Sequence, residues 1–240
     1  MQTKPLYLDD SYQKTMEARV QEVVQEPNGD YRVRLDQTVF YPMGGGQATD
    51  QGMLSSDGLS AQIYQVMMKD GDIWHYLKTQ TAPHVGTKVT GEINWDRRYT
   101  NMKKHTAGHV VDFAMYVLGY SPSPLMPYKG DHNKKLFIQY QGTVGKDIRQ
   151  ELEQKANELV AQNVPITWEF TSFEALQKEA IYLQPYLPKN KPLRIIRLEG
   201  VGAVADGGTQ LKTTGELGSI TIPVIDGQSG ETIVHYTVET

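Results

Sequence analysis

Short stretches of alternating apolar and polar residues fill the first hundred positions of the chain. Residues 18–24 and 31–35 alternate in this way, and the segment between them, Pro-Asn-Gly-Asp at 27–30, is a strong turn signal. Further stretches of this kind lie at residues 38–41, 61–66, 73–77 and 88–93. Short strands with turn signals about every ten residues predict a small β-barrel.

The pattern changes to helical spacing near Asp96. Apolar residues recur on one stripe from 97 to 118, and Gly119 is suited to end that helix. A second helix is predicted at 146–162, and a capping box of Thr171 and Glu174 predicts a short third helix ending at Glu179. Strands are predicted at 136–140, 193–198, 219–225 and 232–238, and a loop at 200–208.

These patterns predict an α+β fold in two domains. A small β-barrel domain with a glycine-rich loop is expected at residues 1–95, and an α+β domain at residues 96–240.

Composition narrows the class of protein. The chain has 240 residues, a net charge of -4 and no cysteine. Disulfides and thiolate metal ligands are therefore excluded, and a cytosolic location is expected because no signal-peptide core is visible at the N-terminus. No apolar run is long enough for a membrane helix. A nucleic-acid partner would need a local basic patch.

Two histidines, His105 and His109, are separated by four positions on the predicted first helix. That spacing projects both imidazoles from one helix face, so both can reach one metal ion. The alternative is two unrelated histidines on a helix.

Two glycine-containing segments also carry polar side chains. Residues 206–210 read DGGTQ, and residues 38–47 read TVFYPMGGGQ. Glycines let a backbone approach a ligand closely, and such a loop after a strand can cradle a phosphate or a ribose. The second segment lacks the Lys-Ser/Thr of a P-loop, which argues against binding a nucleotide triphosphate. The alternatives are a simple turn and a tight hairpin.

A basic cluster directly precedes the histidine pair. Its four cations are Arg97, Arg98, Lys103 and Lys104. A charge run is usually a solvated face, but beside a catalytic site it would suit a polyanion backbone.

Taken together, these segments resemble one family. Their order along the chain is FYPMGGGQATDQG, then RR, then HTAGH, then GGT followed by TGELG. This order resembles the editing domain of alanyl-tRNA synthetase and its free-standing, AlaX-like homologues, over roughly residues 6–225. The longer members of the family combine a small β-barrel with an α+β editing domain, as the patterns predict here.

The resemblance implies a zinc site that includes His105 and His109. The family's other two ligands are a cysteine and a histidine, and Asp206 and Gln210 stand at those positions here. A carboxylate oxygen is an acceptable zinc ligand, whereas the neutral amide of Gln210 is a poor one. The implied site is therefore two histidines and one carboxylate with a fourth position open to water, a ligand set that also suits manganese or iron. The alternative is that the metal has been lost.

The resemblance also implies a reaction, the hydrolysis of the ester that joins a misattached amino acid, usually serine, to tRNA for alanine. Thr106 and Thr209 are then candidates to recognise the serine hydroxyl, and Gln47 to orient the substrate or water. Neither a membrane nor a DNA partner is expected. The expected tRNA-binding residues are Gly44, Gly45, Gly46, Arg97, Arg98, Lys103, Lys104, Gly207 and Gly208.

Three other functions remain open from the sequence. One is the editing of a different mischarged tRNA, with the changed residues at 206 and 210 altering the pocket. The loss of the family's cysteine and histidine is consistent with a homologue that binds tRNA or another ligand without hydrolysis. The acidic net charge of -4 is consistent with a hydrolase of a different small ester or amide.

Overall fold

The structure is a computed structural model that describes residues 2–185 and 187–239. The chain divides into two compact units, residues 1–101 and 102–240. The division falls inside a helix, α1 (Trp95–Val117). Within the described residues, no helix combines the length and the apolar character that crossing a membrane requires.

The first unit is built from short strands. They are β1 (Lys4–Pro5), β2 (Thr15–Gln25), β3 (Tyr31–Leu35), β4 (Gln37–Thr38), β5 (Gly52–Ser56), β6 (Leu59–Lys69), β7 (Asp72–Lys78) and β8 (Lys88–Ile93), with a 3₁₀ turn at Leu6–Leu8. Six of these strands close into a barrel in the order β2-β3-β7-β6-β5-β8, and β1 pairs in parallel with β4.

Alternate residues of the strands fill the barrel. In β8, for example, Val89 and Ile93 are buried while their neighbours in sequence are exposed. The ring of Phe40 lies against Gly52 and Gly91 on the paired strands β5 and β8, where an added Cβ would come within 2.9 Å of it. The alternation visible in the sequence therefore does produce a barrel, as predicted.

The second unit mixes two sheets with helices. After α1 it contains β9 (Met126–Asp131), β10 (Phe137–Gln141), α2 (Arg149–Ala161), β11 (Ile166–Thr171), α3 (Phe173–Glu179), β12 (Leu193–Leu198), β13 (Gly202–Ala205), a 3₁₀ turn at Thr214–Leu217, β14 (Ile220–Gln228) and β15 (Glu231–Val238). One sheet has the order β14-β15-β10-β9, and the other has the order β11-β12-β13. The predicted α+β class is confirmed.

The three-stranded sheet and α1 form the frame of the candidate site. Apolar residues on one face of this sheet pack with Leu176 of α3. On α1, the ring of Phe113 lies so close to Gly202 of β13 that an added Cβ would be 3.1 Å away. The helix that carries the histidine pair is thus packed against the strand that leads into residue 206.

Some predicted elements differ from the structure. The predicted loop 200–208 contains β13, and only Thr38 of the predicted strand 38–41 is in a strand, β4. Four strands, β1, β5, β9 and β11, were not predicted. The third helix is capped by Ser172, whose Oγ accepts a hydrogen bond from the amide of Ala175, and not by Thr171. The reason is a shift of one residue, because Thr171 is the last residue of β11.

Candidate functional site

His105 and His109 lie one turn apart on α1, and their rings stack with centroids 4.9 Å apart. His105 is buried, and His109 is partly exposed at its ring. Both Nε2 atoms face the same side chain, Asp206, which follows β13 directly. The structure therefore brings together the residues that the spacing and the resemblance had singled out.

The carboxylate of Asp206 presents its two oxygens in different directions. Its Oδ1 lies 3.4 Å from Nε2 of His105 and 3.7 Å from Nε2 of His109. Its Oδ2 accepts hydrogen bonds from the amide of Gly208 and from Nε2 of Gln210, both at 2.9 Å. One oxygen is held by the loop, and the other is aimed at the imidazoles.

The donor atoms of these three residues fit a divalent metal. They lie within 4.8 Å of one another. In a tetrahedral zinc site with bonds of roughly 2.0–2.2 Å, neighbouring ligand atoms are about 3.3–3.6 Å apart, close to the two distances observed from Asp206. Moreover, Nε2 of His109 is buried without a hydrogen-bond partner. A buried nitrogen lone pair left in this way is suited to a metal ion.

The charge states of the group also suit metal binding. Burial lowers the pKa of His105, which favours the neutral imidazole that binds metals. Burial alone would raise the pKa of the Asp206 carboxyl, but attraction to His105 and His109 holds it well below its ordinary value. A neutral imidazole and an ionised carboxylate are the ligand forms.

Gln210 is not placed as a metal ligand, which corrects its inclusion in the predicted ligand set. Its Oε1 accepts a hydrogen bond of 2.8 Å from the Thr106 hydroxyl, and its Nε2 donates to Asp206. The physical reason is that the amide offers one acceptor and a donor group, and both are used to connect Thr106 with Asp206. Gln210 therefore orients the carboxylate.

Thr106 and Thr209 are both fully buried. The Thr106 hydroxyl donates to Gln210 and accepts a hydrogen bond of 3.1 Å from the amide of Leu211. Its single proton and one of its lone pairs are thus committed, leaving one lone pair.

Arg194 of β12 is a part of the site that sequence reasoning missed. Its Nη1 donates to the carbonyl of Gly208 at 2.8 Å and lies 3.6 Å from Oδ2 of Asp206. Its guanidinium lies 5.1 Å from the centroid of the Trp168 ring. A buried cation next to the carboxylate favours its ionised form. The only sequence signal was an arginine inside an apolar strand, LRIIRL.

His132 was also missed. It follows β9, is buried, and stacks on the ring of His105 with centroids 4.6 Å apart. Its Nδ1 lies 2.5 Å from the Tyr236 hydroxyl, which donates its proton to the carbonyl of Lys104. Since that hydroxyl has one proton, the geometry places a proton on Nδ1 of His132. Burial lowers the His132 pKa well below its ordinary value, and the neighbouring His105 and His109 lower it further.

The remaining predicted residues of the second unit lie near this group or on the same helix. Gly208 contacts Asp206 and Arg194 through its backbone, and Gly207 is exposed. Lys103 is partly buried and donates to the carbonyl of Glu239 at 3.2 Å, and Lys104 is partly buried.

In the first unit, the glycine-rich loop is a tight turn with an exposed tip. Gly44 and Gln47 exchange backbone hydrogen bonds, and Gly45 and Gly46 have positive φ values of 54° and 78°. Gly44 and Gly45 are exposed, while the side chain of Gln47 is buried. Positive φ at two successive positions explains the glycines.

Arg98 is the one predicted tRNA-binding residue that the structure corrects. Its side chain is fully buried, pairs with Asp50, and donates to the carbonyls of Ser11 and Val39 at 2.7 and 2.5 Å. A guanidinium enclosed in this way is not exposed to a phosphate. Arg97 is partly exposed, although its Nε donates to the carbonyl of Thr49 at 2.9 Å.

Known proteins match this chain along nearly its whole length. A family model described as tRNA synthetases class II (A) matches residues 7–97. The alanyl-tRNA editing protein AlaX-M of Saccharolobus solfataricus is 35% identical over 249 residues, covering 99% of both chains, and that of Methanosarcina barkeri is 34% identical, covering 92% of both. The alanine–tRNA ligase of Halobacterium salinarum is 33% identical over 92% of this chain, which spans 24% of that ligase.

The similarity to the two AlaX-M proteins covers 99% and 92% of this chain and so extends across both units. The chain belongs to the family of alanyl-tRNA editing proteins of the AlaX-M type.

Proposed function

We propose that the chain hydrolyses the ester bond of mischarged tRNA for alanine, with seryl-tRNA as the principal substrate. The relatives named alanyl-tRNA editing proteins support editing as the general function. The observation that carries the proposal is the group of His105, His109 and Asp206, whose donor atoms lie within 4.8 Å of one another. The alanine–tRNA ligases match only through about a quarter of their length, so their own reaction is not implied.

In this proposal, His105, His109 and Asp206 would hold zinc or another divalent metal. Such an ion, when bound, supplies polarisation of the ester carbonyl and a lowered pKa for water. The protein's own contribution is orientation. Gln210 and Gly208 fix one oxygen of Asp206, and this leaves the other oxygen directed at the imidazoles. Outer contacts of this kind set the direction of ligands.

Discrimination between serine and alanine needs a group that hydrogen-bonds the serine hydroxyl. A site built for such a bond can reject the analogue without it by roughly 10⁴–10⁵. Thr106 would act here as an acceptor only, because its proton is donated to Gln210. Thr209 is the second candidate, and Gln47 remains the candidate that orients substrate or water.

The tRNA itself would be bound by the two glycine-containing loops and by partly exposed cations. The proposed residues are Gly44, Gly45, Gly46 and Gly207 together with Arg97, Lys103 and Lys104. Gly208 and Arg98 are omitted because both are buried, and the guanidinium of Arg98 is already held by Asp50.

Deacylation of seryl-tRNA and alanyl-tRNA by the parent protein tests the proposal. We expect the parent to hydrolyse seryl-tRNA and to spare alanyl-tRNA. His105→Ala and Asp206→Ala should lower the seryl-tRNA rate by at least about 100-fold, because a bound metal contributes several kcal/mol to such a reaction. His84→Ala, which changes an exposed histidine of the first unit, is the matched control and should retain the parent rate. A parent that binds tRNA and leaves both esters intact would contradict the proposal.

A further inference from the structure

The three-stranded sheet of the second unit has two faces with different roles. Side chains alternate between the faces of a strand. Leu193, Ile195 and Ala205 belong to the face that packs with α3. Arg194 lies between Leu193 and Ile195, and Asp206 follows Ala205 directly. Both therefore project from the opposite face, on which the candidate site lies.

One row of residues crosses this second face. Phe170 of β11 is paired with Arg194 of β12, and the amide of Asp206 donates to the carbonyl of Arg194 just beyond the pair Ile195–Ala205. Directly opposed residues in antiparallel strands project from the same face. Since neighbouring strands are about 4.8 Å apart, the Cα atoms of Phe170 and Asp206 are separated by about 10 Å.

The aromatic residues of β11 become more exposed towards this row. Ile166 is buried, Trp168 is partly exposed, and Phe170 is 51% exposed. The guanidinium of Arg194 lies over the Trp168 ring and also contacts the loop at Gly208. Trp168 and Phe170 therefore form an aromatic edge beside the candidate metal ligands. We name these two residues the β11 aromatic pair.

Exposed cations lie at the same end of the sheet. Lys189 and Lys191 precede β12, whose first residue, Leu193, is paired with Thr171, the neighbour of Phe170. The ammonium of Lys189 lies over the ring of Phe173, which packs with the α3 face of the sheet, so Lys189 is not counted with the second face. The exposed Lys191 remains at this end of the sheet, where a positive charge favours the approach of a phosphate backbone.

We propose that the β11 aromatic pair is a stacking surface for the unpaired nucleobase at the 3′ end of the tRNA. This inference rests on the proposed function. The terminal base and the aminoacyl ester belong to one nucleotide, so the base must lie within a nucleotide's reach of the group that acts on the ester. A surface about 10 Å from Asp206 meets that requirement. Stacking on an aromatic ring needs no particular base edge, because every base has a π-face.

The test uses binding and so does not depend on hydrolysis. The probe is a short RNA acceptor strand that carries a stable 3′-serylamide and ends either in adenosine or in an abasic ribose. We expect the parent to bind the adenosine-ended probe more tightly than the abasic one. Phe170→Leu should weaken binding of the adenosine-ended probe about 5- to 100-fold and leave the abasic probe unchanged. Phe170→Tyr should behave like the parent.

Tyr116→Leu, which changes an exposed aromatic residue of α1, is the matched control and should bind both probes like the parent. Thermal unfolding of each variant identifies any that fails to fold. The proposed stacking surface is contradicted if the parent binds the adenosine-ended and abasic probes equally tightly. It is also contradicted if Phe170→Leu binds the adenosine-ended probe as tightly as the parent. In that case deacylation of seryl-tRNA by the parent would still uphold the proposed function. A parent that neither binds the probe nor deacylates seryl-tRNA overturns both.

Discussion

At the scale of single residues, the two oxygens of Asp206 explain how a carboxylate can stand at this position. Oδ1 faces the two imidazoles, and Oδ2 is held by Gln210 and Gly208. Without those donors the carboxylate would be free to turn, and both oxygens would compete for the same position. The orientation of the Asp206 carboxylate therefore depends on the amide of Gln210, four positions further along the chain.

Removing that amide should weaken metal binding without removing a ligand. Loss of an outer contact of this kind typically costs about 10- to 100-fold in metal affinity. We expect the zinc affinity of Gln210→Leu, measured by competition with a chelator, to fall within that range. Bound metal, measured by elemental analysis, should be lost altogether in Asp206→Ala.

Gln162→Leu is the control for this pair, because Gln162 is exposed at the end of α2. It should bind zinc like the parent. If the parent has no measurable affinity for any divalent metal, the donor group has been assigned wrongly.

At the scale of elements, α1 carries a glycine where a methyl group has no room. An added Cβ at Gly108 would lie 2.5 Å from Cε1 of His132 and 2.7 Å from Oη of Tyr236. Glycine inside a helix costs about 0.5–1 kcal/mol relative to alanine. The absence of a side chain at this position lets His132 and Tyr236 lie directly against the helix beside His105.

Gly108→Ala should therefore destabilise the protein although it improves helix propensity. Overpacking costs about 1–3 kcal/mol, so a net loss of about 1–2 kcal/mol in the free energy of unfolding is expected from urea titration. In a His132→Ala background, Gly108→Ala should lower the free energy of unfolding by less than it does in the parent, because the clashing imidazole is absent. Gly145→Ala is the control, since its added Cβ would meet nothing within 4 Å. A Gly108→Ala protein more stable than the parent would show that the helix and β9 are not packed as described.

At the scale of the whole molecule, an acidic chain is proposed to bind a polyanion. The net charge is -4, and one of the four clustered cations, Arg98, is neutralised inside the first unit by Asp50. Binding would thus depend on a few partly exposed cations and be sensitive to salt.

Lys103→Gln combined with Lys104→Gln should weaken tRNA binding and flatten its salt dependence. Each lost phosphate contact lowers the slope of log affinity against log salt concentration by about 0.7–0.9, so the double variant should lose up to about 1.4–1.8. Lys88→Gln, on β8 and outside the basic cluster, is the control. An unchanged slope would remove Lys103 and Lys104 from the tRNA surface.

Hydrophobic patterns in the sequence predicted the features that depend on residues close together in the chain. The barrel follows from alternation in strands such as β8, and the histidine pair follows from helical spacing on α1. Arg194, His132 and Tyr236 were out of reach because they join the site from separate strands or the ends of strands, through contacts such as that between His132 and Tyr236, 104 positions apart. The sequence predicts a loop at β13 because this strand is four residues long and begins with glycine.

The chemistry of the donor atoms determines how the candidate site responds to oxidation. Cysteine thiolates are oxidised stepwise to sulfenic, sulfinic and sulfonic acids, and the later steps are not readily reversed. The group of His105, His109 and Asp206 contains no sulfur, and the chain has no cysteine anywhere. A peroxide that disables a thiolate-ligated site therefore has no corresponding target among these three side chains. A donor group of two imidazoles and one carboxylate is inert to thiol oxidation.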